Sequence, residues 1–81
     1  MQGETGMHYY FHIRAESASI LDDEGLDLPN ISAARIEMRA SAEDLIRAAL
    51  YAGPRFDVRA IDLEDESGSI IETFWVRNIF H

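Results

Sequence analysis

Apolar and polar side chains alternate from Met7 to Ala15 (Met-His-Tyr-Tyr-Phe-His-Ile-Arg-Ala), a run dense in aromatic and β-branched types. A period of two puts Tyr9, Phe11 and Ile13 on one face of a strand and His8, Tyr10, His12 and Arg14 on the other. The first set reads as core, the second as an open face. Glu16-Ser17-Ala18 turns the chain and residues 19–22 run back as a short strand. Asp22-Asp23-Glu24-Gly25 is then a tight turn in which glycine supplies the positive φ. Beyond Leu26-Asp27-Leu28-Pro29, which leads into a helix capped by Asn30, the period changes. Ile31, Ala34, Met38, Ala42, Leu45, Ala49 and Ala52 recur at spacings of three and four, a continuous apolar stripe. Gly53-Pro54 supplies both C-cap and stop, so the helix is predicted over Ile31–Ala52. On its outer surface Glu43 and Arg47 form an i,i+4 pair in the favourable order.

Alternation returns over residues 57–64, with Ile61 and Leu63 inward and Arg59 at an inward edge. Asp65-Glu66-Ser67-Gly68 is a hairpin turn ending in the glycine that a type I turn with a bulge prefers, and residues 69–77 return. In that last strand Ile70, Phe74 and Val76 are expected in the core, with Glu72, on the same face, near an edge or a bulge, and a one-residue slip would put Trp75 inside in place of Phe74. Ile71, Thr73, Trp75 and Arg77 take the other face. The pattern therefore predicts an α+β fold of ββαββ type: a four-stranded, mainly antiparallel sheet in the order 2-1-3-4 with one helix packed on one face. Residues 7–78 form the single domain, and residues 1–6 are expected to be a disordered extension.

Three motifs occur in order: Tyr9-Tyr10-Phe11-His12, then Asp23-Glu24-Gly25-Leu26-Asp27-Leu28-Pro29-Asn30 before an Ala-Ala-Arg helix start, then Glu64-Asp65-Glu66-Ser67-Gly68. In these the chain resembles a family of short alphaproteobacterial, rhizobial-type proteins, domain of unknown function six-eight-nine-four, from Met7 to Arg77. The resemblance implies a stand-alone cytoplasmic bacterial module and brings with it no activity, cofactor or catalytic residue.

A chain of 81 residues, 47% hydrophobic and 10% aromatic, has room for one packed core and no second domain. A fold so small buries only about 60% of the surface its extended chain would expose, which favours support from a partner or a second copy. With no cysteine, a disulfide scaffold, an all-thiolate zinc site and a cysteine nucleophile are all excluded. That absence, together with an N-terminus lacking a signal pattern and no stretch near the roughly 18 apolar residues of a membrane span, points to the cytoplasm. Net charge is -8, and all seven basic residues are Arg. Such a field disfavours nucleic acid and anionic lipid and attracts a basic partner.

His8 and His12 share a strand face but stand about 13 Å apart, too far to ligate one ion together. The acids at Asp22, Asp23, Glu24 and Asp27 lack the spacing of a calcium loop, because Gly25 comes too early and no acid stands at the twelfth position. No nucleophile elbow, phosphate-cradling loop, zinc-protease helix or dinucleotide fingerprint occurs. Neither metal nor cofactor is expected, nor an enzyme. The remaining candidate is the open sheet face, with Tyr10, His12, Arg14, Trp75 and Arg77. Such side chains suit a protein interface and could also stack single-stranded RNA, and the acidic charge sets protein contact first. Ile36, Leu50, Tyr51, Ile79 and Phe80 lie off the core stripe as a candidate dimer or partner surface. The sequence is read as a non-enzymatic protein-interaction module or homodimer, with an RNA-binding domain as the alternative.

Overall fold

The computed structural model describes residues 6–16, 18–52 and 57–76, except for the side chain of Ala52. Its elements are β1 (Met7–Ala15), β2 (Ser19–Ile20), β3 (Leu26–Leu28), α1 (Ile31–Ala52), β4 (Val58–Glu64) and β5 (Ile70–Trp75). Every strand pairing is antiparallel, in the order β2-β1-β4-β5, and β3 shares the outer edge of β1 with β2. The α+β class, the single helix on one face and the central place of the aromatic strand agree with the sequence pattern. Among the described residues the strands number five rather than four.

The difference lies in the returning arm of the first hairpin. The arm expected over residues 19–22 ends at Ile20, and Leu26-Asp27-Leu28, expected only to lead into the helix, pairs as β3 with Met7, His8 and Tyr9. Between them residues 21–25 leave the ladder. Gly25, at φ 70°, lets the chain rejoin it, and a Cβ there would lie 2.5 Å from His8 Nε2 and 2.8 Å from the Tyr9 carbonyl oxygen. Only glycine fits both the backbone and the space.

The helix starts where Asn30 stops competing with it. Asn30 Oδ1 accepts the Ala33 amide at 2.9 Å, which satisfies one of the orphan donors of the first turn, and its carbonyl accepts the first intrahelical bond from the Ala34 amide at 3.2 Å. Ala34 and Ala42 are fully buried, so the helix backbone lies close to the sheet, and Met38 fills the space between them. These three join Tyr9, Ile61 and Leu63 as the core, with Phe11, Leu28, Ile31, Leu45 and Phe74 packed against it. Ile13 is half-buried and Ala49 less than fully covered. The Gly53-Pro54 stop lies outside the described residues. On the outer surface Arg47 pairs with Asp44, three residues back, at 2.5 Å and not with Glu43. The pair is exposed, and its contribution is at most a few tenths of a kcal/mol.

In β5 Phe74 packs against the core and Val76, just beyond it, is buried, as expected. Ile70 does not. The register shifts between Leu63 and Glu64, which face Glu72 and Ile70, so one extra residue is accommodated and Ile70 turns to the open face, 51% exposed. Glu72 stays on the helix side beside this bulge, where its Oε1 accepts from Arg35 Nε at 2.7 Å. Arg59, expected at an inward edge, is exposed and pairs with Glu16 at 2.9 Å. The turn between β4 and β5 is held by Asp65 Oδ1, which accepts from the Ser67 and Ser69 amides and the Ser67 hydroxyl. Gly68 closes it at φ 88°, with open space around its α-carbon.

The two positive-φ glycines provide a matched test. Gly68→Ala carries only the backbone penalty and is expected to lower unfolding stability by about 1 kcal/mol. Gly25→Ala adds the collision with His8 and the Tyr9 carbonyl, and is expected to lower it by roughly 2–3 kcal/mol. Urea denaturation of both variants checks this, and equal losses would remove the packing role given to Gly25.

Candidate functional site

The pairing builds the open face in three rows: Tyr10, Glu64 and Ile70; His12, Asp62 and Thr73; Arg14, Ala60 and Trp75. Facing residues in an antiparallel pair share a side, so the alternation of β1 and β4 puts a line of acids beside a line of aromatic and basic groups. Each cation reaches diagonally to an acid. Arg14 donates to Asp62 Oδ1 at 2.8 Å, and His12 Nε2 lies 2.8 Å from Glu64 Oε1. Thr73 Oγ1 donates to the same Asp62 oxygen at 2.7 Å. The Arg14 guanidinium lies 4.9 Å from the Trp75 ring centroid, and the fully buried Ala60 sits between them in the row. Tyr10 stacks parallel to His12 at 6.3 Å and meets His8 edge-on at 5.1 Å.

The loop over residues 21–25 forms the wall of this face. Asp22 Oδ2 accepts the Phe11 amide at 3.1 Å, while its Oδ1 accepts the amides of Glu24 and Gly25. In return the Asp22 amide donates to His12 Nδ1 at 3.0 Å. Nδ1 therefore carries no proton, which fixes the Nε2–H tautomer that donates to Glu64. His8 is held differently. Its Nδ1 lies 2.5 Å from Asp27 Oδ1 and its Nε2 2.6 Å from the Glu24 carbonyl, so both nitrogens donate.

These contacts set the local electrostatics. The hydrogen bond to Asp27, followed by the one to Glu24, raises His8 above the ordinary imidazole value. For Asp22 burial pushes the other way, but the Gly25, Phe11 and Glu24 amides outweigh it and hold the carboxyl below its usual range. Burial likewise opposes the shift of Asp62, and Arg14 and Thr73 overcome it. The Ser67 and Ser69 bonds keep Asp65 low as well.

Between the loop and β5 lies an open groove of about 480 Å³. His12 and Arg14 line its floor with Asp62 and Glu64, Asp22 and Asp23 line one side, and Leu21 and Ile70 provide apolar walls. Four carboxylates thus face one permanent cation. Asp23 makes no ion pair among the described residues.

Of the residues singled out from the sequence, Tyr10, His12, Arg14 and Trp75 do share this face, while Arg77 lies outside the described residues. Ile36, Leu50 and Tyr51 are exposed on α1 at 72%, 79% and 91%, with Ile36 some 20 Å along the axis from the other two, and Ile79 and Phe80 lie outside the described residues. Asp22 and Asp23 stand in the groove with Asp62 and Glu64, two acids that the sequence also signals, because they alternate with inward Ile61 and Leu63.

The sequence pattern of a family described as "Domain of unknown function (DUF6894)" matches residues 8–74, and the chain belongs to that family. No curated protein and no solved structure gives a match. Among the described residues no helix is long and apolar enough to cross a membrane.

The opposite shifts predict a stability maximum in mildly acidic solution. His8 stabilises the fold below its ordinary value near 6.5, and that contribution is lost as pH rises through the raised value. Asp22 and Asp62 stabilise it above their ordinary value near 3.8, and theirs is lost as pH falls through the lowered values. Urea midpoints between pH 3 and 9 should fall on both sides, and His8→Gln should flatten the alkaline side. An alkaline limb unchanged in that variant would refute the His8 assignment.

Proposed function

We propose that this family member is a non-enzymatic interaction module that takes a basic segment of a partner protein into the groove of its open sheet face. The observation that carries this reading is the lining itself: carboxylates of Asp22, Asp23, Asp62 and Glu64 around a floor with one Arg, between the exposed side chains of Leu21 and Ile70. An Arg or Lys side chain supplies the charge this surface lacks, and its aliphatic stem or an apolar neighbour covers the walls. The net charge of -8 steers such a partner from a distance.

A non-catalytic role agrees with the state of the two histidines. Both ring nitrogens of His8 and of His12 are engaged by the chain's own groups, which leaves neither poised to move a proton for a substrate. The RNA alternative meets an adverse field. Tyr10, His12, Arg14 and Trp75 are engaged with one another or with Asp62 and Glu64, and a phosphate backbone would lie against the same carboxylates. The cytoplasm, suggested by the absence of cysteine, is the compartment in which we place this role.

Titration with short Arg-containing peptides, followed by Trp75 fluorescence and calorimetry, tests the proposal. Binding is expected at low salt and should weaken steeply as the screening length shortens from about 10 Å at 0.1 M to about 3 Å at 1 M. Leu21 and Asp23 are both exposed, so Leu21→Ser combined with Asp23→Asn should leave the fold intact and weaken binding about tenfold. Fluorescence quenching by single-stranded RNA without a response to the peptide would favour the RNA reading. Silence toward both would overturn the groove as a binding site.

A further inference from the structure

The two edges of the sheet are treated differently. On the β1 side the edge is broken into β2 and β3, of two and three residues, separated by a loop, and so short an interrupted edge resists pairing with another chain. On the other side β5 runs six residues, Ile-Ile-Glu-Thr-Phe-Trp, and no strand covers its outer edge among the described residues. It contains no Pro or Lys. Its one charge, Glu72, is drawn toward the helix by Arg35, and Ile71 and Trp75 remain 40% and 38% exposed. A continuous, largely apolar edge of this kind is a template for another strand.

We propose that the strand it takes is β5 of a second copy, in an antiparallel register centred on Thr73. A two-fold axis through the sheet must pass beside a single residue, since facing residues share a side of the sheet, and charge decides among the three central positions. Centring on Glu72 would set two carboxylates face to face. Centring on Phe74 would bring together two Arg39 guanidinium groups, each lying 5.5 Å from its own Phe74 ring. Centring on Thr73 sets Glu72 opposite the partner's Phe74, and hence beside the partner's Arg39, a cation without a carboxylate partner among the described residues. The same register sets Ile71 against the partner's Trp75 on the open face and leaves the bulge at Ile70 outside the paired segment. Facing β-carbons about 5 Å apart bring both pairs into contact. This goes beyond the groove reading, since it uses different residues and is read by different measurements.

The absence of cysteine makes the register directly testable. With Thr73→Cys, the two Cα atoms on the axis would lie about 4.5–5.5 Å apart, within the span a disulfide requires. With Ile71→Cys, the two copies would lie about 13 Å apart. Under mild oxidation Thr73→Cys is expected to form a covalent dimer at least about tenfold faster than Ile71→Cys, and equal rates would overturn the register. In sedimentation of the full chain, Glu72→Arg should raise the dimer dissociation constant about tenfold, and adding Arg39→Glu should restore it to within about threefold. Failure of the double variant to recover, with an unchanged far-ultraviolet spectrum, would overturn the charge pairing. An unaltered chain that stays monomeric at about 1 mM would overturn the dimer itself.

Discussion

The amide of Phe11 has no strand to bond to, and much of the molecule is arranged around that fact. β1 is paired on its outer edge at both ends, by β3 at Met7 to Tyr9 and by β2 at Ile13 and Arg14, and is left open in the middle. The Asp22 carboxylate fills the gap by accepting the Phe11 amide, and the Asp22 amide donates to His12 in return. A buried or half-buried amide left unpaired costs about 1–3 kcal/mol, so the loop cannot relax away from the strand without a penalty of that order. From this one exchange follow the course of residues 21–25, the need for glycine at position 25, the tautomer of His12 and the position of its Nε2 proton toward Glu64. The groove wall and the groove floor are fixed together.

What the residues reveal by themselves is whatever depends on near neighbours. The helix from Ile31 to Ala52 is legible because its apolar period and its Asn30 cap are local, and both are found in place. Tyr9, Ile61 and Leu63 are likewise legible from alternation alone, whereas in β5 alternation leaves Phe74 and Trp75 as alternatives for the core until the pairing with β4 sets the phase. What stays hidden depends on pairing between distant segments. Nothing in Ile70 itself shows that a bulge turns it outward, since that is set by its alignment against Glu64. Arg14 reads as a free cation until Asp62, 48 residues away, is brought beside it. The break between β2 and β3 belongs to the same class, because an Asp-Asp-Glu-Gly run suits either a simple turn or an excursion that returns to the same edge.

The open face carries its charges in an ordered way. Lone cations on a strand beside lone acids on the next could pair straight across or along a diagonal, and here both pairs take the diagonal. Asp62 is thereby shared between Arg14 and Thr73, and Arg14 spreads over Trp75. Such contacts at a partly exposed surface add little to stability one by one. Their effect is to immobilise long side chains, so that the acids present a fixed surface to whatever approaches.

The pairing of β1 with β4 has a consequence for how the chain reaches its final form. Each hairpin closes over a short distance, but the seam between them joins residues about 50 positions apart, across the whole helix. Until that seam zips, β1 and β4 each present an unpaired inner edge bearing core residues, and the chain is at its most vulnerable to joining a neighbour's strand instead of its own. The helix shortens this period. Once formed, it spans roughly 30 Å and fixes the path along which the second hairpin returns to the first.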